Sequence, residues 1–221
     1  KWLGGHGTGL GGVVIDSGRF NWAGGKHPLF DNPDNSYHGL RWGHDLPEML
    51  APLAYILRMR TVPLRNLGAC IAPDNSWQFL QGIETLPLRM ERHCENAQKV
   101  TEFLQSHAKV EWVSYAGLPE HPDYELAKTQ LGGTPSALLT FGVKGGFEAG
   151  VKFYDALGLF KRLVNIGDAR SLACHPASTT HRQLSETEQL AVGVKPEMIR
   201  LCVGIEHIDD IFADLEQALA A

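Results

Sequence analysis

Lys1-Trp2-Leu3-Gly4-Gly5-His6-Gly7-Thr8-Gly9-Leu10-Gly11-Gly12-Val13-Val14-Ile15-Asp16 opens the chain, and the reading of its glycines decides the fold. Gly7 to Gly12 satisfies the string GxGxxG. A dinucleotide-binding turn, however, needs a strand before its glycines and a helix after them, so that the helix N-terminus meets the pyrophosphate. Here only six residues precede the loop. The run that follows it, Val13-Val14-Ile15-Asp16, is apolar and β-branched, which predicts a buried strand. An NAD-dependent oxidoreductase therefore fails on element order. What remains is Lys1 beside the glycines. An amine can form a Schiff base with an aldehyde cofactor, and glycines let other backbone come close. Taken alone, a lysine ahead of such a turn is more often a solvated loop residue.

Outward from this loop, Gly18 to Gly43 is rich in Gly, Pro, Asn, Asp and aromatics, and reads as an irregular surface excursion. Helical spacing begins near Glu48, with Leu50, Leu53, Ala54 and Leu57. Further helices are expected from about Asn75 through Leu86 and from Leu88 to about His107, with Pro87 as a break or kink between them. Strands are expected at 110–113, 138–143, 163–166 and 199–203, with a helix from Gly146 to about Leu157. Ser185-Glu186-Thr187-Glu188 has the form of a capping box, so a helix should start there. The last helix, Ile208 to Ala220, carries an apolar face at Ile211, Phe212, Leu215 and Leu219. Alternating strands and helices indicate an α/β chain, split near Leu86 to Arg92.

Composition excludes several classes. The 221 residues are 43% hydrophobic and 20% charged, with a net charge of −5 and no basic run, so neither nucleic acid nor an anionic membrane is an expected partner. No apolar stretch is long enough to span a bilayer. Cys70, Cys94, Cys174 and Cys202 are scattered, as expected of reduced cytoplasmic thiols. The ten histidines show no HxxxH or HExxH spacing, so no metal is expected. The absence of an initiating methionine or helix cap at Lys1 leads us to expect a segment ahead of it.

Four blocks carry a resemblance. Lys1-Trp2-Leu3-Gly4-Gly5-His6-Gly7-Thr8 resembles the K-[FWY]-[ILM]-G-G-H-G-[TS] segment of the O-acetylhomoserine sulfhydrylases, a group within the Cys/Met-metabolism family of pyridoxal-5′-phosphate (PLP) enzymes. Gln81-Gly82-Ile83-Glu84-Thr85-Leu86, continued by Arg89-Met90-Glu91-Arg92-His93, resembles the family's Q-G-[LI]-E-T-L block. Gly167-Asp168-Ala169-Arg170-Ser171-Leu172 and His175 to His181 resemble G-D-x-x-[ST]-L and H-P-A-S-[TM]-T-H, and Arg200 to Glu206 resembles R-L-S-V-G-[IL]-E. Cys202 departs from the commoner serine, and Arg170 from lysine or glutamate; neither position carries chemistry.

The resemblance implies an aspartate-aminotransferase-like α/β fold, the PLP-dependent transferase fold (fold type I). Residues 1–86 would be the C-terminal part of the large PLP-binding domain, and residues 87–221 the small C-terminal domain, whose sheet is mostly antiparallel. Lys1 would be the Schiff-base lysine and the acid/base that moves protons at the substrate. Arg200 would hold the substrate α-carboxylate through its fork of donors. Ser171 and Leu172 would assist there, partly through backbone groups. His6 and Thr8 lie near the lysine without an assigned role, while His175 and His181 are expected to be structural and Ser185 a helix cap.

The implied reaction is γ-replacement: O-acetylhomoserine loses acetate, sulfide takes its place, and homocysteine is released. The excursion from Phe20 to Trp42 resembles an insertion of the sulfhydrylases and favours them over cystathionine γ-synthase and methionine γ-lyase, which share the framework. A catalytically dead assembly partner would have no need of an amine at Lys1. The family's ring-stacking aromatic, its aspartate at the pyridine nitrogen and most of its phosphate loop precede the lysine. Residues 1–221 alone are therefore expected neither to retain PLP tightly nor to turn over, and a homo-oligomer, a dimer of dimers that includes the N-terminal half, is expected.

Overall fold

The computed structural model describes residues 1–221, which form two units: residues 10–73, and residues 1–9 together with 74–221. In the 10–73 unit, helices α1 (Pro28–Asp31), α2 (Ala54–Met59) and α3 (Arg65–Leu67) are short, and α2 runs into α3 through a wide turn at Arg60–Leu64 that contains Pro63. Pro28 stands in the first turn of α1, where a missing N–H costs nothing. The helix expected from Glu48 starts late, after a 3-10 turn at Ala51–Leu53, because Pro47 and Pro52 deny it two amide donors. Aromatic rings supply the packing: Trp22 stacks on Phe30 and Tyr55 at 4.3 and 5.1 Å, and Trp42 is buried with its indole N–H on Asp34 at 2.9 Å. The expected excursion is accordingly irregular.

One expectation fails in this unit. Val13 to Asp16 is not a strand, and Ile15 is 86% exposed. β-Branched residues favour extended backbone, but a strand also needs a partner strand to take its N–H and C=O groups, and no strand of this chain pairs with 13–16.

The other unit is built on a sheet of β1 (Val110–Ser114), β2 (Leu138–Val143), β3 (Lys161–Arg162), β4 (Leu172–Cys174) and β5 (Met198–Cys202), ordered β1-β2-β5-β4-β3. All pairings are antiparallel except β3 with β4. Helices α4 (Pro73–Glu84), α5 (Leu86–Ser106), α6 (Tyr124–Gln130), α7 (Gly146–Ala156), α8 (Glu186–Ala191) and α9 (Ile208–Ala220) complete it. Pro87 sits in the first turn of α5, so the expected break falls at Thr85. The core joins two periodicities. Leu139 and Phe141 of β2 and Ile199 and Leu201 of β5 alternate onto one face, where they meet Ala97, Val100 and Leu104 of α5 and Ile211 and Leu215 of α9. The capping box forms as expected: Ser185 Oγ accepts from the Glu188 N–H, and the Ser185 N–H donates to the Glu188 carboxylate at 2.8 Å.

Residues 163–166 are not the expected strand. After one bond from the Leu163 N–H to the Ala173 carbonyl (3.1 Å), the chain leaves the sheet and turns at Gly167, whose φ is 76°. The strand in this region is β4, three residues buried throughout, whose brevity hides any alternation. Helix α6 was likewise not anticipated.

Candidate active site

The segment Lys1–Gly9 belongs to the sheet-bearing unit and is held there through its backbone. The Gly5 N–H closes a turn onto the Lys1 carbonyl at 2.9 Å, with Gly5 at φ 74°. The Gly5 carbonyl then accepts from the Ala169 N–H at 2.7 Å. Helices α4 and α5 grip the stretch between. Arg89 donates to the carbonyls of Trp2 (3.0 Å), Leu3 (3.2 Å) and Gly82 (2.6 Å), and its Nε to the Thr85 hydroxyl (3.2 Å). Glycine is required at two of these places. A Cβ on Gly5 would strike the Arg89 guanidinium, and one on Gly82 would strike the Leu3 carbonyl. The Trp2 ring meets His93 edge-on, at 4.9 Å between centroids.

Arg89, His93 and Asn96 fall at i, i+4 and i+7 of α5 and form a buried polar stripe beside this segment and the turn after β5. His93 Nδ1 lies 2.7 Å from the Val203 carbonyl and must donate there, while Asn96 donates to the carbonyls of Gly204 and Glu206, each at 3.0 Å. Burial pushes the His93 imidazole below its ordinary range; the Val203 bond opposes this, and the Arg89 charge adds to it.

Arg200 stands in β5, a central strand, between Thr140 of β2 and Cys174 of β4. Strand alternation puts it on the face opposite Ile199 and Leu201. Its guanidinium makes one hydrogen bond, to the Asn165 carbonyl at 3.4 Å, and takes part in no ion pair, leaving most of its donors unused. Lys1 itself is exposed. Both cations act on Cys202. Burial pushes its thiol up and the charge of Asp168 adds to this, while a bond from the Gly167 N–H (3.2 Å) and the charges of Arg200 and Lys1 pull it down. Geometrically, the 165–168 turn links the two segments: Arg200 donates to the Asn165 carbonyl, and Gly167 packs against Trp2, the residue after Lys1.

Ser171 and Leu172 are placed differently. Ser171 is fully buried: its N–H and hydroxyl donate to Glu206 at 2.7 and 2.9 Å, and its Oγ accepts from the Gly204 N–H at 2.8 Å. Leu172 is 1% exposed within β4. The Ser171 N–H and hydroxyl are thus both engaged by Glu206. Asp168 forms a forked pair with Arg170, both arms at 3.0 Å. Burial alone would raise the Asp168 carboxyl, but the Arg170 bonds hold it below its ordinary value. Thr8 donates to Gln78 at 2.6 Å. His175 spans Ser178 and the Pro196 carbonyl at 2.7 and 2.8 Å, the structural role expected of it, and His181 Nδ1 meets the Thr180 hydroxyl at 2.8 Å.

Sequence reading gave no role to Arg89, Asn165 or Glu206. Arg89 and Glu206 stood inside resembling blocks, but nothing local distinguishes a cation that binds backbone from one on a solvated helix face.

A sequence model of the family described as "Cys/Met metabolism PLP-dependent enzyme" matches residues 1–220. The chain is 54% identical to O-acetyl-L-homoserine sulfhydrylase of Leptospira meyeri, covering 99% of this chain and 51% of that protein. It is 48% identical to O-acetyl-L-homoserine sulfhydrylase 1 of Thermus thermophilus, covering 100% of this chain and 51% of that one. The chain thus spans about half the length of these curated relatives. A crystal structure of a putative O-acetylhomoserine (thiol)-lyase from Campylobacter jejuni, which holds a lysine joined to pyridoxyl 5′-monophosphate, superposes with a TM-score of 0.84 at 40% identity, covering all of this chain and 52% of that one. With the PLP-dependent transferase fold and the family's motifs both in place, this chain belongs to the Cys/Met-metabolism family of PLP-dependent enzymes.

Proposed function

We propose that this chain is the lysine-bearing part of an enzyme that converts O-acetylhomoserine and sulfide to homocysteine and acetate. The observation that carries the reading is the Arg200 guanidinium, free of any acid and bonded to the Asn165 carbonyl, on a turn whose Gly167 packs against Trp2 beside the exposed Lys1. The residues fit PLP and an amino-acid substrate: an accessible amine for covalent attachment, and a cation with donors to spare for a carboxylate. When bound, PLP supplies an electron sink for the carbanions that γ-replacement needs. Lys1 would hold the cofactor's aldehyde carbon, and its amine, when free, would carry protons to and from the substrate carbons. Arg200 fixes the α-carboxylate and so orients those carbons toward the lysine. Ser171, fastened to Glu206 and Gly204, shapes the turn after β5 that follows Arg200, and Leu172 packs in the strand beside it.

The sulfhydrylase reading is supported by the two relatives above and by "Homocysteine/cysteine synthase" of Saccharomyces cerevisiae, 44% identical over 99% of this chain. We further propose domain limits of 1–86 and 87–221, a cytoplasmic homotetramer, and acetyl rather than succinyl substrates. No helix is long and apolar enough to cross a membrane. The test supplies the intact protein with PLP, O-acetylhomoserine and either sulfide or cysteine, and reads products by mass spectrometry. Homocysteine from sulfide with little cystathionine from cysteine is the expected result. Cystathionine as main product moves the chain to the γ-synthases, and α-ketobutyrate without a nucleophile to the γ-lyases.

A further inference from the structure

We propose that Arg89 is a positioning residue for Lys1, fixing where its amine sits by holding the two peptide carbonyls that follow it. The proposal rests on the functional reading of Lys1 above. Arg89 is only 6% exposed, yet no carboxylate pairs with it; its charge is met by the carbonyls of Trp2, Leu3 and Gly82 and by the Thr85 hydroxyl. A buried cation without an acid is costly, and a core that needed only filling would be served better by an apolar side chain. What the cation does provide is a rigid planar fork, with Nη1 on one carbonyl and Nη2 on the next.

The surroundings leave the segment little freedom. Gly5 has its left-handed φ of 74° directly against the guanidinium, and Gly82 is pressed on Leu3 and Gly4 from the other side. The Lys1 carbonyl is tied to the Gly5 N–H, so the peptides on the C-terminal side of the lysine are fixed from Trp2 to Gly5. The lysine's own side chain has no partner in that frame. Lys1 is therefore held through its backbone alone, directly by the Gly5 N–H and, through the next two peptides, by Arg89.

The experiment uses the intact protein, freed of cofactor, as wild type, Arg89→Met, Arg89→Lys and Leu104→Ala, the last a core change in α5 remote from this segment. Each is mixed with pyridoxal 5′-phosphate and reduced with borohydride at timed intervals. The fraction of the Lys1 peptide carrying the pyridoxyl mass is followed beside the melting temperature. Arg89→Met is expected to slow labelling of Lys1 by about tenfold, and Arg89→Lys, which keeps the charge but not the fork, by about threefold. Leu104→Ala should melt lower yet label at the wild-type rate. Wild-type labelling in Arg89→Met, or equal slowing in Leu104→Ala, overturns the proposal. If Arg89→Met does not fold, Arg89→Lys decides: slowing supports the positioning role and an unchanged rate refutes it. If wild type itself is not labelled at Lys1, the functional reading falls and takes this inference with it.

Discussion

Replacing Gly82 with alanine sets helix propensity against the site. Gly82 lies inside α4, where alanine should gain up to about 1 kcal/mol. The added Cβ, however, would lie inside normal contact with the Leu3 carbonyl, 2.7 Å from the Gly4 carbonyl oxygen and 2.8 Å from Gly4 Cα. Ordinary contact begins at 3.4 Å, so Gly4 must retreat by 3.4 − 2.7 to 3.4 − 2.8, or roughly 0.6–0.7 Å. Leu3 and Gly82 also share one Arg89 nitrogen, so the retreat opens the grip on the lysine segment. Overpacking of this kind costs about 1–3 kcal/mol, which leaves a net loss of about 0–2 kcal/mol after the propensity gain. A shift of that size next to a reacting group should lower kcat/KM by roughly tenfold. Urea unfolding and steady-state homocysteine formation measure the two losses. An alanine variant that is more stable than wild type and fully active would refute the reasoning.

The remaining predictions concern separate parts of the unit. Asp214 accepts the N–H groups of Gly158, Leu159 and Phe160 at 2.8, 2.9 and 3.0 Å, so Asp214→Ala strands three donors at the end of α7. It should cost about 3–5 kcal/mol by urea unfolding, and a loss under about 1 kcal/mol would contradict that account. Arg200→Lys gives up the fork but keeps the charge. It should raise KM for O-acetylhomoserine by about tenfold or more with little change in melting temperature, and an unchanged KM would remove Arg200 from the carboxylate. Burial holds His93 and His175 below the ordinary histidine value of 6.5, so below that pH the unfolded chain takes up protons first. Their contribution is present above about pH 6.5 and is lost as pH falls toward the lowered folded values; urea midpoints should rise from pH 5 to 7, less steeply in His175→Gln.

Periodicity made the sheet-bearing unit largely legible. The α5 and α9 stripes and the alternation of β2 and β5 are long enough to outvote noise, and the Ser185 capping box is a local rule with local partners. Val13 to Asp16 misled because β-propensity reports a surface that fits a sheet, not the presence of a sheet beside it. Strand β4 was missed because three buried residues have no period. At the candidate site, Lys1 and Arg200 are nominated by motifs rather than by physics. The polar stripe of Arg89, His93 and Asn96 has the spacing of a solvated helix face, and only the fold shows that a backbone segment covers it. Ser171 stood out by position in its block, but its N–H and hydroxyl are both given to Glu206, which lies 35 residues away in sequence.

The grip on the lysine segment is blind to side chains. Arg89 touches residues 2 and 3 only at their carbonyl oxygens, which every amino acid carries. Substitution at Trp2 or Leu3 alters what their side chains meet but leaves both acceptors of the grip in place. The grip itself therefore tolerates change at both side chains, with Trp2 constrained separately by its packing on His93, while the glycines at 5 and 82 are fixed by the grip. A library randomised at the exposed Leu3 should keep Lys1 in register, making that position one of the more evolvable in the segment.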